Sequence, residues 1–239
     1  MRRLIFFGLA FFLLSTTLTC FAQQTDIRQF AVVAGYSYLE TPSLNLAQRG
    51  FNGDFAQNVR PWLSLGFDFS VFNGQSTLLP SYLNSATQTQ LGQNLIKMGV
   101  PPSALPTVIS RLAVPFSSTT FTYQAGPQLN YRRLRKVTLF VRPALGLLHM
   151  KLQTDPNGVL ATRLVGGLLG GKLSDADTAV FYGFGGGATW EIHPNFGLRA
   201  TVDLARTNFF SDRLNGSRTA VRLSVMPKFG FGRNILAKK

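Results

Sequence analysis

The sequence is nearly devoid of cysteine: Cys20 is the single one in 239 residues. A disulfide framework is therefore excluded. Histidine is almost as scarce. His149 and His193 stand far apart, and they offer no clustered ligand set for a transition metal. Charged residues make up only 14% of the chain, low for a soluble globular domain. Acids are the scarcer sign, 10 against 24 bases, and the formal net charge is +14. Beyond the N-terminal residues, no stretch approaches the roughly 18 uninterrupted apolar residues of a transmembrane helix. If the chain enters a membrane, only a closed barrel remains. Helices and closed barrels are the structures that satisfy every backbone hydrogen bond in lipid.

What is present begins with "MRRLIFFGLAFFLLSTTLTCFAQQ". Two arginines precede an apolar run from Leu4 to Leu14, followed by small polar residues. Cys20 and Ala22 occupy the small-residue positions of a cut before Gln23. This is the layout of a secretory signal peptide, expected over residues 1–22. The lone cysteine would leave with it. Lipidation of Cys20 is the lesser reading, because Thr17 and Thr19 suit a lipoprotein cleavage box poorly. Such a basic excess suggests a polyanionic partner. The export signal favours a phosphate-bearing membrane surface over nucleic acid.

The rest of the chain alternates with period 2. In "SRTAVRLSVMPKFGFG", Val221, Leu223, Val225, Phe229 and Phe231 share one parity, and Arg218, Arg222 and Lys228 the other. Successive strand side chains point to opposite faces. The same pattern recurs in Gln29–Leu39, Arg49–Val59, Trp62–Phe72, Thr119–Arg132, Val137–Leu148, Ala179–Ile192 and Phe196–Thr207. These make eight segments of the length a tilted membrane strand needs, about 9–11 residues. Pro127, Pro143 and Pro227 read as bulges or rim positions. The links near Asn58–Pro61, Arg132–Lys136 and His193–Asn195 are short. Those at Glu40–Gly50, Asn73–Ser118, Gln153–Thr178 and Asn208–Ser217 are longer. Alternating short and long links are the habit of outer-membrane barrels, with short periplasmic turns and long external loops. The 73–118 link carries helical spacing at Leu91, Leu95 and Met98, and again at Leu105, Ile109 and Leu112.

Aromatic residues test the orientation. Trp62, Tyr131, Trp190, Phe196, Phe229 and Phe231, with Phe30, fall near the short turns. Tyr36, Tyr38, Tyr123 and Tyr182, with Phe51, Phe72, Phe121 and Phe209, fall near the long loops. Two girdles at two interfaces are expected of a barrel in a bilayer. The apolar faces then look out to lipid, and Asp68, Arg142, Glu191, Arg199, Asp203, Arg222 and Lys228 look into the lumen. An eight-stranded barrel is just wide enough to be filled by its side chains. The expected state of these seven is a packed ion-pair network, with Arg222 level with Asp203. Arg199, Lys228 and Glu191 are expected to gather near the short-turn end.

The segments "FTYQAGPQLNYR" and "FGGGATWEIHPNFGLRATVDLART", with the final strand, resemble the OmpA-like outer-membrane β-barrel superfamily. The nearest likeness is to its small single-domain members in Gram-negative bacteria. The resemblance covers about residues 27 to 232 and implies an eight-stranded antiparallel up-and-down transmembrane barrel, here with a partly helical second external loop. No peptidoglycan-binding domain is expected after the barrel, and a basic tail, residues 233–239, continues past the last aromatic. The domain reading is thus a signal peptide, a barrel over 23–232 and that tail.

Chemistry-bearing motifs are few. "LVGGLLGGKL" lacks the Gly-Lys-Ser/Thr ending of a phosphate loop. His149, on the lipid-facing parity near the loop end, is a conceivable centre for lipid chemistry, but no serine stands two residues away. No cofactor and no metal are expected. The expected partners are lipopolysaccharide outside, phospholipid inside through "RRLRK" and the tail, and the barrel-assembly machinery. An unidentified ligand or protein is expected at the external loops, and no nucleic acid. The leading functional reading is a non-catalytic structural or surface-interaction role. A narrow porin-like conduit comes second, and a lipid-modifying enzyme third.

Overall fold

The computed structural model describes residues 24–156, 162, 165–167 and 172–236. The signal-peptide assignment and half of "LVGGLLGGKL" fall outside these residues. Eight strands are formed: β1 (Arg28–Thr41), β2 (Leu46–Arg60), β3 (Leu63–Leu78), β4 (Val114–Tyr131), β5 (Val137–Thr154), β6 (Ser174–His193), β7 (Phe196–Thr207) and β8 (Arg218–Asn234). Each pairs antiparallel with its neighbour in sequence, and β8 pairs back onto β1, so the sheet closes. Directly paired residues trace a path around the wall: Leu152, Ser118, Gly74, Gln48, Leu39, Arg222, Asp203, Gly185, Arg142. The path returns to β5 ten residues from where it began. That stagger over eight strands tilts them by about 40°.

Polarity is inverted relative to a soluble barrel. Asp68, Ser70, Gln48 and Thr120 are buried inside, whereas Phe67, Val141, Leu145 and Phe184 face outward, Phe184 with 66% of its surface exposed. In the last strand, Val225 and Phe229 are exposed and Arg222 is 5% exposed. The alternation in the sequence is thus the alternation between lipid-facing wall and lumen.

Three links at one end are short, at 61–62, 132–136 and 194–195. At the other end the links are 79–113, 155–173 and 208–217, and one departs from expectation. Residues 40–50 do not form a long loop. Pairing of β1 with β2 continues through Glu40↔Ala47 and Thr41↔Leu46. The chain reverses over Pro42–Leu44, a 3₁₀ turn closed by Asn45 at φ 46°. Asparagine tolerates that left-handed backbone better than most residues. The 79–113 insert carries α1 (Ser85–Lys97) and α2 (Leu105–Arg111), as the spacing predicts. Leu91 and Leu95 of α1 are fully buried against the mouth of the barrel.

The prolines are not bulges in the β4–β5 ladder. Pairing lapses between Gln124↔Gly146 and Leu129↔Val141 and resumes in the same register. Pro127 and Pro143 both lie in this gap, so two missing donors cost one interruption. Gln124 partly compensates by donating from the lumen to the Pro143 carbonyl at 3.3 Å.

Candidate functional site in the barrel lumen

At mid-barrel, six ionised side chains converge from five strands. Asp54 of β2 and Asp68 of β3 are directly paired across the sheet. Like charges opposite each other destabilise a sheet unless a cation intervenes. Arg142 of β5 supplies it, donating to Asp54 Oδ2 at 2.9 Å and Asp68 Oδ2 at 3.1 Å. Its guanidinium also forks onto Asp203 of β7, with both bonds at 3.1 Å. Arg222 of β8 sits opposite Asp203 in register and donates to it at 2.7 Å. Arg222 also reaches Asp68 Oδ1 and Ser70 Oγ, each at 2.7 Å. Arg199 of β7 completes the group, 3.6 Å from Asp54 and with its guanidinium 3.9 Å over the Phe140 ring. A further bond joins it to Gln128. Three carboxylates thus meet three guanidiniums, and the formal charge cancels.

Local backbone makes room for this cluster. A Cβ on Gly185 would stand 1.8 Å from Asp203 Oδ1. The "GFGGGA" run therefore thins β6 where the Asp203 carboxylate lies against it.

Below the cluster the lumen remains polar. Lys228 pairs with Glu191, and Thr138 lies within hydrogen-bond reach of Glu191. Gln24, ahead of β1, donates to Thr138 Oγ1 at 3.0 Å and caps this end. A second chain runs from Gln128 through Asn130, Ser64 and Asn58 to Arg132 in the turn. Burial lowers the Arg132 guanidinium to about 10, opposed by the Glu191 charge and reinforced by Arg199. It still carries its proton at neutral pH.

Above the cluster the lumen turns apolar. A void of about 30 Å³ rests on Asp203 and Arg222, walled by Leu148 and Phe181. Over it the 208–217 loop folds into the mouth and buries Phe209 and Phe210. Arg218, 1% exposed, lies 5.0 Å over the Phe209 ring and donates to the Phe209 carbonyl at 2.6 Å.

Of the seven lumen residues expected from the sequence, Asp68, Arg142, Asp203 and Arg222 form the central cluster, and Glu191 and Lys228 pair below it. Arg199 is displaced from its expected place: it joins the central cluster through Asp54 rather than the Glu191–Lys228 pair. Asp54 is the member that sequence reasoning missed. Its parity with Asn52, Ala56 and Asn58, against Phe51 and Phe55, carried the signal. Tyr36, Tyr38, Tyr123 and Tyr182 lie on the outer wall toward the loop end. Trp62, Tyr131, Trp190, Phe196, Phe229 and Phe231 lie outward at the other end. Two further aromatics placed in the loop-end girdle do not belong there. Phe72 points inward and is fully buried, and Phe209 is the stopper in the mouth.

His149 faces outward and shares a 2.7 Å hydrogen bond with Thr178 Oγ1. Among the described residues it meets no carboxylate and no serine. His193 accepts from the Asn195 amide within its turn. Among the described residues, no group of acidic, histidine or cysteine side chains is arranged to hold a metal.

A closed sheet with an apolar outer wall and a filled polar interior defines a transmembrane β-barrel. Solved structures with this architecture match the chain over most of its length. Ail, the attachment invasion locus protein of Yersinia pestis, crystallised with the heparin analogue sucrose octasulfate, is 15% identical. That match covers 86% of this chain and 99% of Ail, with a TM-score of 0.48. Neisserial surface protein A is 14% identical over 85% of this chain and 97% of its own, with a TM-score of 0.46. OprG of Pseudomonas aeruginosa is 8% identical over 88% and 99%, with a TM-score of 0.44. These are small outer-membrane β-barrels of the OmpA-like group, the group that the sequence resembles. No protein-family model matches the sequence, and no curated protein matches it.

Proposed function

We propose that this chain is a non-catalytic outer-membrane barrel that works through its exposed loops, as a structural or surface-interaction protein. The observation that carries this reading is the closed lumen: a neutral six-residue ion cluster beneath an apolar stopper. Buried ion pairs with well-formed geometry hold only if each charge keeps its partners, so the cluster resists the rearrangement a conduit would need. In this reading the short turns face the periplasm. "RRLRK" and the basic tail then lie against phospholipid headgroups, and the 79–113, 155–173 and 208–217 links face outward among lipopolysaccharide. Assembly falls to the barrel-assembly machinery.

The test is conductance of the purified, refolded protein in planar bilayers. No sustained current steps are expected. Large, stable, anion-selective steps would favour the porin-like conduit instead. A parallel lipid-modification assay addresses the third reading, for which His149 with its Thr178 partner is a poor catalytic pair. Cell fractionation should place the mature protein, beginning near Gln23, in the outer membrane. A soluble periplasmic product would defeat the reading.

A further inference from the structure

The cap at the loop end contains an apolar void of about 80 Å³. Leu78, Leu83, Leu152, Val165, Phe210 and Leu214 supply its apolar walls, with Thr87 of α1, Thr154 and the Asp175–Arg213 pair completing the lining. Protein interiors are packed almost without such gaps. Voids that do stay empty are apolar, and they accept apolar guests.

A second observation falls at the same place. Among the described residues, only Asn45 and Phe210 have positive φ without being glycine, and Phe210 has φ 51°. A bulky side chain rarely adopts this conformation, and it persists only where the surroundings over-determine it. Here they do. The Phe210 amide donates to Asp177, and Arg213 is ion-paired with Asp175. Leu214 bridges to Leu83, and Asn215 donates to the Tyr82 carbonyl at 2.9 Å. Strained backbone and polar clamps thus hold the Phe210 ring as one wall of a space that none of the described residues fills.

From this we infer that the void is a binding site for a short aliphatic group, lidded by the 208–217 loop. The inference gives the exposed-loop reading a ligand class, and it rests on that reading only for the side from which the ligand arrives. Size sets the class. A cavity of about 150 Å³ takes a benzene ring, and this one has about half that volume. Its two charged lining residues, Asp175 and Arg213, are paired with each other, which leaves no free charge to neutralise an ionised group. The chemistry is that of a small free hydrocarbon or the end of a longer chain.

The test uses refolded full-length barrel in detergent, with methyl NMR signals of Leu83, Leu152 and Leu214 as reporters. Lipid-facing Leu145 and Leu147 serve as controls for partitioning into the micelle. Xenon and n-butane should shift the cap methyls saturably and the controls only linearly. Leu78→Phe and Leu152→Phe each fill the void from a different strand. Whichever variant retains the folded spectrum should lose saturable binding. Butyrate separates the sources. Saturation by butane alone assigns a neutral hydrocarbon, whereas saturation by both assigns the end of a carboxylated chain. Cap shifts no more saturable than those of Leu145, or saturation unchanged in a folded filled variant, would overturn the site. Neither outcome bears on conductance, so failure here leaves the closed-lumen reading standing.

Discussion

At the scale of single residues, Asp203 is the junction of the lumen. It accepts from Arg142 and Arg222 together and lies against a glycine that cannot be enlarged without displacing it. Removing one partner of a buried pair strands the other and costs about 3–5 kcal/mol. Asp203→Ala should therefore lower the stability of the refolded barrel by about that amount, measured by urea unfolding in lipid vesicles. Asp203→Ala with Arg222→Ala should cost less than the sum of the two single changes, since the residues share one network. Additive losses would mean the contacts are not coupled. Gly185→Ala should destabilise through the same carboxylate, so it should cost less in an Asp203→Ser background than in the wild-type barrel. Much of this was legible beforehand. Parity alone placed Asp68, Arg142, Asp203 and Arg222 inside the barrel, because a strand offers a side chain only two directions. Parity carries no height, however. The level of Arg199 depends on a ten-residue stagger that no single strand contains, so its partner cannot be read from its own strand.

At the scale of elements, the strands were legible where one face is greasy and the other polar. They became illegible above the membrane, where both faces are polar or mixed. Residues 40–50 read as a loop because Glu40, Gln48 and Arg49 break the apolar pattern. Yet Leu46 and Gln48 are buried inside the mouth, and the hairpin continues. Phe72 and Phe209 were read as girdle residues from their position along the chain, but the upper lumen is itself apolar and takes them in. The 79–113 insert was legible as helical because Leu91 and Leu95 repeat at i, i+4. Its docking was not, because that rests on Asn84. The Asn84 side chain caps α1 through the Thr87 amide at 2.8 Å and donates to the Asp212 carbonyl at 2.7 Å. Losing an N-cap costs about 1 kcal/mol. Asn84→Ala should therefore speed amide exchange in α1 and the 208–217 loop while leaving the eight strands protected. Orientation belongs to this scale too. Ser103→Cys, exposed in the insert, should react with an impermeant thiol reagent on intact cells. Arg135→Cys, exposed in a short turn, should react only after lysis. The reverse pattern would invert the assignment of ends.

At the scale of the whole molecule, stability depends on closing the sheet, because an open edge in lipid leaves a row of unpaired backbone groups. The closing seam is β1 on β8, paired at Arg28↔Asn234 and, after a register shift, from Phe30↔Phe231 up to Glu40↔Val221. Past the last aromatic, the strand runs on to Asn234, two residues beyond the boundary expected from the sequence. That extension acts as a clasp. Asn234 Oδ1 accepts from the Ile27 amide and Asn234 Nδ2 donates to the Thr25 carbonyl, both at 3.0 Å. The Ile235 amide donates to the Ile27 carbonyl at 2.9 Å. Ile27 is thereby held at 3% exposure under the barrel, next to the buried Gln24. The clasp sits on the last pair of the wall, Arg28↔Asn234, beyond a register shift, so its loss should weaken the seam without opening it. The folded barrel should migrate faster on a gel when unheated than when boiled. Asn234→Ala should keep that fast band but convert it to the slow one at a lower temperature. With the bond from the Leu236 amide to Asn234 Oδ1, three hydrogen bonds are lost, corresponding to about 1.5–4.5 kcal/mol. Asn58→Ala removes a bond to the Arg28 carbonyl together with the bonds from Ser64 and Arg132, and serves as a comparison for a loss on the β2 side of β1. If Asn234→Ala converts at the wild-type temperature, the seam carries no load from the tail. If it yields no fast band at all, the tail is required for closure itself.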